Sequence, residues 1–403
     1  MPQSAEAGRR GPDVRSDCWV RVTPKRSGGR KISVKSKVES MYGEAIRAQA
    51  EEGLEVLGVA HATVDVEDAG ALPFVLMARL ETAARRAYGL EVAEPWLPEA
   101  IPASRRPGEK ERFRRSRLYL PGNEPKFALN AGLHGADGII LDLEDSVAPA
   151  EKDAARILVR NALRTLDFGA AERMVRINQL PLGFDDLDAV IPENVHLVLI
   201  PKCESPQHVE DVDAKIRRIK GEGGRRVYLM PIIESALGVL CAFEIATASV
   251  NVVALTIGLE DYTADIGTQR TEEGLESRWA RSMVVNAARA AGIAPIDSVY
   301  SDVANEDGLR RSVVEAKQLG FEGKGCIHPG QIRVIHEAFA PSEEEIDKAT
   351  RIVTAFEDAD AKGLAVVALG SKMIDPPVVR RAHRTVDHAL RAGLLAKDWR
   401  EAQ

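Results

Sequence analysis

DGIILDLEDSVAPAEKDAARILVRNALRTLDFGAAERMVRIN, residues 137–178, decides the fold. It opens on an apolar run, DGIILD (137–142), breaks at an acidic turn, and continues as EKDAARILVRNAL (151–163), whose apolar residues recur at helical spacing. It closes on a second apolar run, MVRIN (174–178). A short, continuously apolar strand is one buried on both faces, and two such strands joined by a helix make a parallel βαβ unit. Outward from this unit the pattern repeats as RLYLP (117–121), HLVLIPK (196–202), VYLMPIIE (227–234), VALTIGLED (253–261), PIDSV (295–299) and KGCIHP (324–329), eight runs in all. Helical spacing fills the intervals, as in SRWARSMVVNAARAAG (277–292) and GLRRSVVEAKQLG (308–320). Eight units in roughly 220 residues approach the size of a closed (β/α)8 TIM barrel, with an open doubly wound sheet as the competitor. In a barrel the reactive groups sit at the C-terminal strand ends, where Asp142, Glu144, Arg176, Asn178, Lys202, Glu234, Asp261, Asp297 and His328 fall.

At 403 residues with 45% hydrophobic and 5% aromatic content, the chain suits an aliphatic-packed α/β protein of more than one domain. A formal charge of −7 argues against a general polyanion binder, so nucleic acid is not an expected partner. Residues 1–37 are nevertheless basic, with ten Lys/Arg against three Asp/Glu, and RRPGEKERFRRSR (105–117) is basic again; both read as solvated or linker-like runs. Cysteines at 18, 203, 241 and 326 lack paired spacing, which argues against a zinc site or a disulfide framework. The first residues carry no apolar signal segment and no stretch has membrane-spanning length, so the expected location is the cytoplasm, with no membrane partner.

The segment ahead of the barrel reads as a small α+β domain over 1–90. It has strands at CWVRV (18–22), KISVK (31–35) and ATVDVED (62–68), and helices at 41–58 and 73–89. Gly58 and Gly89 stand at helix C-caps. Residues 91–113, rich in proline and charge, read as a linker, and 114–340 as the barrel. The remaining 341–403 is a helical extension: SEEEIDKATRIVTAFEDADAKG (342–363) opens with a Ser342–Glu345 capping box, then come a short strand pair or loop and a further helix.

Glu234 and Asp261 end consecutive strands of the series, so closure brings two carboxylates together at the mouth. Mg2+ keeps several waters and commonly takes one or two protein carboxylates; the alternative is that both acids form ion pairs. An α-hydroxy or α-keto carboxylate chelating that ion would have its oxygen polarised. Arg176 offers a planar fork to a substrate carboxylate or thioester oxygen, or else a salt bridge to Glu144 or Asp142. Glu144 is a secondary catalytic candidate and Asn178 a substrate-binding one, Lys202 raises the Schiff-base route, and His328 is a cap or an active-site group.

The blocks RRSRLYLPG (114–122), LDLEDSVAPAEKDAAR (141–156), VRIN (175–178), IESALG (233–238), GLEDYTADIGTQRT (258–271), IDSVYSD (296–302), QLGFEGKGCIHPGQI (318–332) and SKMIDPPVV (371–379) resemble the citrate lyase beta subunit in order. That resemblance, within the wider HpcH/HpaI aldolase-like group of acyl thioester lyases, implies Mg2+ on Glu234 and Asp261, substrate binding and catalysis at Arg176, and Asp375 acting as acid or base in an adjacent subunit. It implies cleavage of a citryl thioester, carried by acyl carrier protein or coenzyme A, to oxaloacetate and an acetyl thioester. Citramalyl-CoA or malyl-CoA are alternative substrates. A non-catalytic, acyl-carrier-binding assembly subunit is the alternative of another class. A homo-oligomer, a trimer or a multiple of it, and a citrate lyase alpha-type transferase subunit are the implied partners.

Residues 18–84 resemble the citrate lyase gamma subunit, an acyl carrier protein bearing phosphoribosyl-dephospho-coenzyme A on a serine. The family's attachment motif is Ser-Gly-Asp; this chain reads Arg15-Ser16-Asp17, so Ser16 is the attachment candidate, at the cost of a one-residue gap.

Overall fold

The computed structural model describes residues 3–89, 94–361, 367–369 and 372–400. The first of these stretches folds as a four-stranded sheet in the order β1-β2-β4-β3, from β1 (Ala5–Gly8), β2 (Cys18–Pro24), β3 (Arg30–Ser36) and β4 (Ala62–Asp68). β4 alternates strictly between buried and half-buried residues. Its inward Val64 and Val66 join Val20, Val22 and Leu54 in a core under two helices, α1 (Glu39–Val56) and α2 (Pro73–Tyr88). The sequence pattern anticipates β2 to β4 and both helices; β1 is additional, because four residues with one buried apolar side chain carry too little periodicity to be seen.

Helix α2 is buried on nearly every side because it has two partners. One face meets the sheet, while Phe74, Val75 and Ala78 pack on Ile157, Leu158 and Ala162 of the helix Lys152–Thr165, which belongs to the barrel. Buried polar groups fix the register of that contact. Glu81 accepts from Arg160 Nη2 at 2.7 Å and Nη1 at 3.1 Å, and Asn161 Nδ2 donates to the Phe74 carbonyl at 3.1 Å. Arg79 forks onto Asp17, both bonds 2.9 Å, and donates to the Asn123 carbonyl beside the first barrel strand. Removing one partner of the Glu81–Arg160 pair leaves a buried charge uncompensated and costs about 3–5 kcal/mol. Trp96 is pressed onto α1 at Gly53, where any Cβ would overlap the indole. Within the stretch that sequence alone reads as linker, Trp96 thus packs on the small domain, while the Ile101 N–H donates to the Arg164 carbonyl and the Pro98 carbonyl accepts from Arg164 Nε on the barrel side.

Strands β5 (Ser116–Pro121), β6 (Gly138–Asp142), β7 (Glu172–Arg176), β8 (Leu197–Ile200), β9 (Tyr228–Ile233), β10 (Ala254–Ile257), β11 (Ala294–Asp297) and β12 (Gly323–Cys326) close into one barrel, parallel throughout. Closure excludes the open sheet. All but β5 and β6 stop earlier than their apolar runs; β7 ends at Arg176, and β10 ends before Gly258, which caps a short helix Leu259–Asp265. Asp261 thus stands in a helical first turn above the strand.

At the opposite end, the helix Glu343–Asp360 carries the anticipated Ser342–Glu345 capping box. A hairpin of β13 (Val367–Leu369) and β14 (Lys372–Ile374) follows, then the helix Pro376–Arg391, capped by Asp375. The last turns of that helix lie under the strand N-termini, with Arg391 4.1 Å over the Phe113 ring and His388 5.0 Å from it. Among the described residues, no helix is long and apolar enough to cross a membrane. The four cysteines are all free.

His196, buried just ahead of β8, is a pH-dependent element of the fold. Its Nδ1 accepts the Arg173 backbone N–H at 3.2 Å and its Nε2 donates to the Arg106 carbonyl at 2.9 Å. Burial, then the Arg173 guanidinium, hold its pKa down at about 4 against 6.5 for a free imidazole. Between those values the unfolded chain binds a proton that the folded chain refuses. Stability therefore rises with pH across this window and is lost as pH falls, by up to about 3 kcal/mol. Urea midpoints at about pH 7 and about pH 5 are expected to differ less in His196→Gln than in the parent protein.

Candidate active site

A cavity of about 490 Å³ opens at the C-terminal ends of the strands, lined by Arg117, Tyr119, Arg176, Glu234, Thr256 and Asp261 among others. Glu234 follows directly on β9 and is buried; the Lys202 backbone N–H donates to its Oε2 at 2.8 Å. Lys202 presents that N–H from a left-handed backbone, φ +45°, a conformation costly for a side-chain-bearing residue and concentrated at functional sites. Gly258 gives the carboxylate its room, since a Cβ there would stand 2.6 Å from Glu234 Cγ. Burial pushes the Glu234 pKa up to about 7, and repulsion from Asp261 and Glu144 adds to it.

Arg176 and Asp142 are register partners on adjacent strands. The guanidinium forks onto Asp142 at 2.6 and 2.7 Å and reaches Glu144 at 2.9 Å, while its Cζ lies 5.4 Å from the Tyr119 ring centroid. The salt bridge is formed, Nε and Nη2 on Asp142 and Nη1 on Glu144, and the residue lines the cavity as well. Burial opposes ionisation of Asp142, but Arg176 outweighs it and keeps that pKa below the usual carboxylate range. For Glu144 burial prevails and the pKa is raised. Lys202 Nζ lies 3.5 Å from Glu144, 3.9 Å from Asp145 and 3.5 Å from Asp261.

Around the mouth, Asp142, Glu144, Asp145, Glu234 and Asp261 thus outnumber Arg176 and Lys202. Among the described residues no three His, Cys, Asp or Glu side chains converge as a ready-made metal cage. An acidic rim with a buried carboxylate whose ionisation is opposed, and with no full cage, fits Mg2+, which takes few protein oxygens and keeps waters. It does not fit a structural zinc ion.

The other sequence candidates are engaged by neighbours or fall elsewhere. The Asn178 backbone and side-chain N–H groups both donate to Asp186, at 2.7 and 2.8 Å, and the residue lines a neighbouring cleft together with Glu144. Asp297 lines the cavity, but its carboxylate is engaged by Lys324 Nζ at 2.6 Å and by Arg281. Exposed His328 accepts from Gly330 N–H, as a local cap does. Asp375 accepts from Val378 N–H at its helix N-terminus and lines none of this cavity. Ser16 lies in the small domain, half-buried, at φ +56°. That is a glycine-favouring conformation. Sequence reasoning missed Arg117 and Tyr119. The available signal was a period of two in RLYLP, which turns both to the same inner face.

The family model for HpcH/HpaI aldolase/citrate lyase matches residues 115–329, and that for the malonate decarboxylase delta subunit, an acyl carrier family, matches residues 10–87. The citrate lyase subunit beta of Leuconostoc mesenteroides subsp. cremoris is 42% identical over 281 residues, 68% of this chain and 93% of its own. The human mitochondrial citramalyl-CoA lyase is 33% identical, over 68% of this chain and 84% of its own. Among solved structures, protein CitE from Mycobacterium tuberculosis in complex with magnesium, acetoacetate and coenzyme A superposes with a TM-score of 0.58 at 31% identity, covering 71% of this chain and all of that one.

Proposed function

Because the chain belongs to the HpcH/HpaI aldolase/citrate lyase family, we propose that it is a Mg2+-dependent carbon–carbon lyase acting on a 3-hydroxy-3-carboxyacyl thioester. The leading substrate is a citryl thioester, cleaved by retro-Claisen chemistry to oxaloacetate and an acetyl thioester. The observation that carries this reading is the buried Glu234 beside Asp261 on an acidic rim that also presents the Arg176 fork.

Glu234 and Asp261 are the residues that would hold the ion. When bound, Mg2+ supplies Lewis-acid polarisation of the hydroxyl and carboxylate oxygens of the half that leaves as keto acid. Arg176, locked by Asp142 and Glu144, lines the cavity, where its positive charge stabilises negative charge growing on the thioester oxygen. Glu144 acts mainly by positioning that guanidinium. As the C–C bond breaks the hydroxyl oxygen becomes the keto oxygen and gives up its proton to solvent, and the enolate carbon of the acetyl half takes one up, with Asp375 of a second copy as the proposed donor.

A second reading, turnover of free coenzyme A thioesters, is favoured by the docking of the small domain. A carrier held through the buried Glu81–Arg160 pair and the Arg79 bond to the Asn123 carbonyl does not swing between sites. The acyl group is then delivered from outside the chain. Purified protein assayed against citryl-, citramalyl- and malyl-CoA is expected to release a keto acid with Mg2+ and to stop when EDTA is added. Activity that survives EDTA would remove the metal from the scheme. Intact-mass measurement on protein from the native host decides the carrier question: an added mass on the Ser16 peptide restores the self-loaded version, and an unmodified peptide excludes it.

A further inference from the structure

The floor of the cavity holds a charge that the chemistry above does not use. Along β5 the residues alternate, with Leu118 and Leu120 facing the outer helices and Arg117 and Tyr119 facing the barrel interior. Arg117 is 1% exposed and its neighbours are neutral: Nη1 meets Met230 Sδ at 3.1 Å, and Nη2 meets Thr256 Oγ1 at 3.2 Å and the Asp297 carbonyl at 3.3 Å. Its Nε has no partner. Among the described residues no carboxylate comes within ion-pair distance of it, whereas buried Arg79, Arg114, Arg160 and Arg281 each face one. The Asp297 carboxylate is taken by Lys324 and Arg281. A buried cation left without its own counter-ion is costly, and a site of this kind is completed by an anion from outside.

We propose that Arg117 is a specificity residue. Its guanidinium receives a second carboxylate on the keto-acid half of the substrate, selecting thioesters that release a dicarboxylic keto acid over those that release a monocarboxylic one. The depth fits. Thr256, which Arg117 touches, pairs in register with Ile232, and Glu234 is the next inward position above Ile232. The Arg117 head therefore lies one side-chain layer, about 7 Å, below the Glu234 position in the same cavity. A metal–oxygen bond, a methylene-linked carboxylate and a hydrogen bond together span that distance. The cavity is thus polar at both ends, acidic at the rim and basic at the floor, with Tyr119 and Ile232 between.

This inference rests on the lyase reading, and the test separates the two. With full-length protein and Mg2+, kcat/KM is measured for citryl-CoA, which yields oxaloacetate, and citramalyl-CoA, which yields pyruvate. The parent is expected to favour citryl-CoA; in Arg117→Met the ratio is expected to fall about a hundredfold, with Arg117→Lys recovering part of it. An unchanged ratio in Arg117→Met, or a parent that prefers citramalyl-CoA, overturns the proposal while leaving the lyase reading intact. If the parent cleaves neither ester, the lyase reading fails instead. Binding of oxaloacetate and of pyruvate by calorimetry then decides Arg117: selective loss of oxaloacetate in Arg117→Met supports the subsite, and equal binding by parent and variant refutes it.

Discussion

Replacing Glu234 by Gln is expected to lower kcat about a thousandfold while leaving the fold in place. The amide keeps the volume that Gly258 makes room for, and its oxygen still accepts the Lys202 N–H. What goes is the negative charge, which burial already opposes at this position, so the variant without Mg2+ should be at least as stable as the parent. The two proteins separate when Mg2+ is added. A ligand that binds only the folded state raises its stability by about RT ln(1 + [L]/Kd), so the parent's melting temperature should climb with Mg2+ and that of Glu234→Gln should not. Equal climbing in both, or near-parental turnover in the variant, would move the metal away from Glu234.

The second large effect concerns a residue outside the cavity. Asp375→Asn is expected to cost between about a hundredfold and ten-thousandfold in kcat, the range of a lost general acid. Yet in one chain Asp375 caps its own helix and lines no part of the cavity. If a second copy supplies it, mixing Asp375→Asn with Glu234→Gln protein regenerates sites that carry Glu234 from one chain and Asp375 from another. Random reassembly of equal amounts gives about a quarter of such sites both native groups. Recovery toward that level after dissociation and remixing supports the shared site. No recovery, with assembly verified by light scattering, would place the proton donor within a single chain.

How much of the site can be read in advance differs from residue to residue. Glu234 and Arg176 are legible because strand ends are marked locally: an apolar run buried on both faces must stop, and the polar residue at the stop lies at the barrel mouth. Asp261 is legible as a mouth residue but not as a helical one, since Gly258 ends β10 before the apolar run does. Asn178 looks equivalent to Arg176 two residues earlier, yet Asp186 claims both of its N–H groups, and that pairing depends on how the helix Gly183–Val190 returns to β7. Arg117 was passed over because one charged residue at the start of a strand usually lies in solvent; only barrel closure puts Met230, Thr256 and Asp297 around it.

By itself, then, the sequence determined the alternation of eight strands with helices, the small domain ahead of them and the acidic rim, because periodicity and punctuation act over a few residues and need no distant partner. Tertiary structure alone decided which charges are spent and which are left over. Asp142 and Glu144 bind Arg176, Glu81 takes Arg160 across the contact with the small domain, and Arg117 is left without a counter-charge. The reason is physical: an ion pair is set by separations of a few ångström between residues dozens to hundreds of positions apart, and those separations exist only once the barrel has closed.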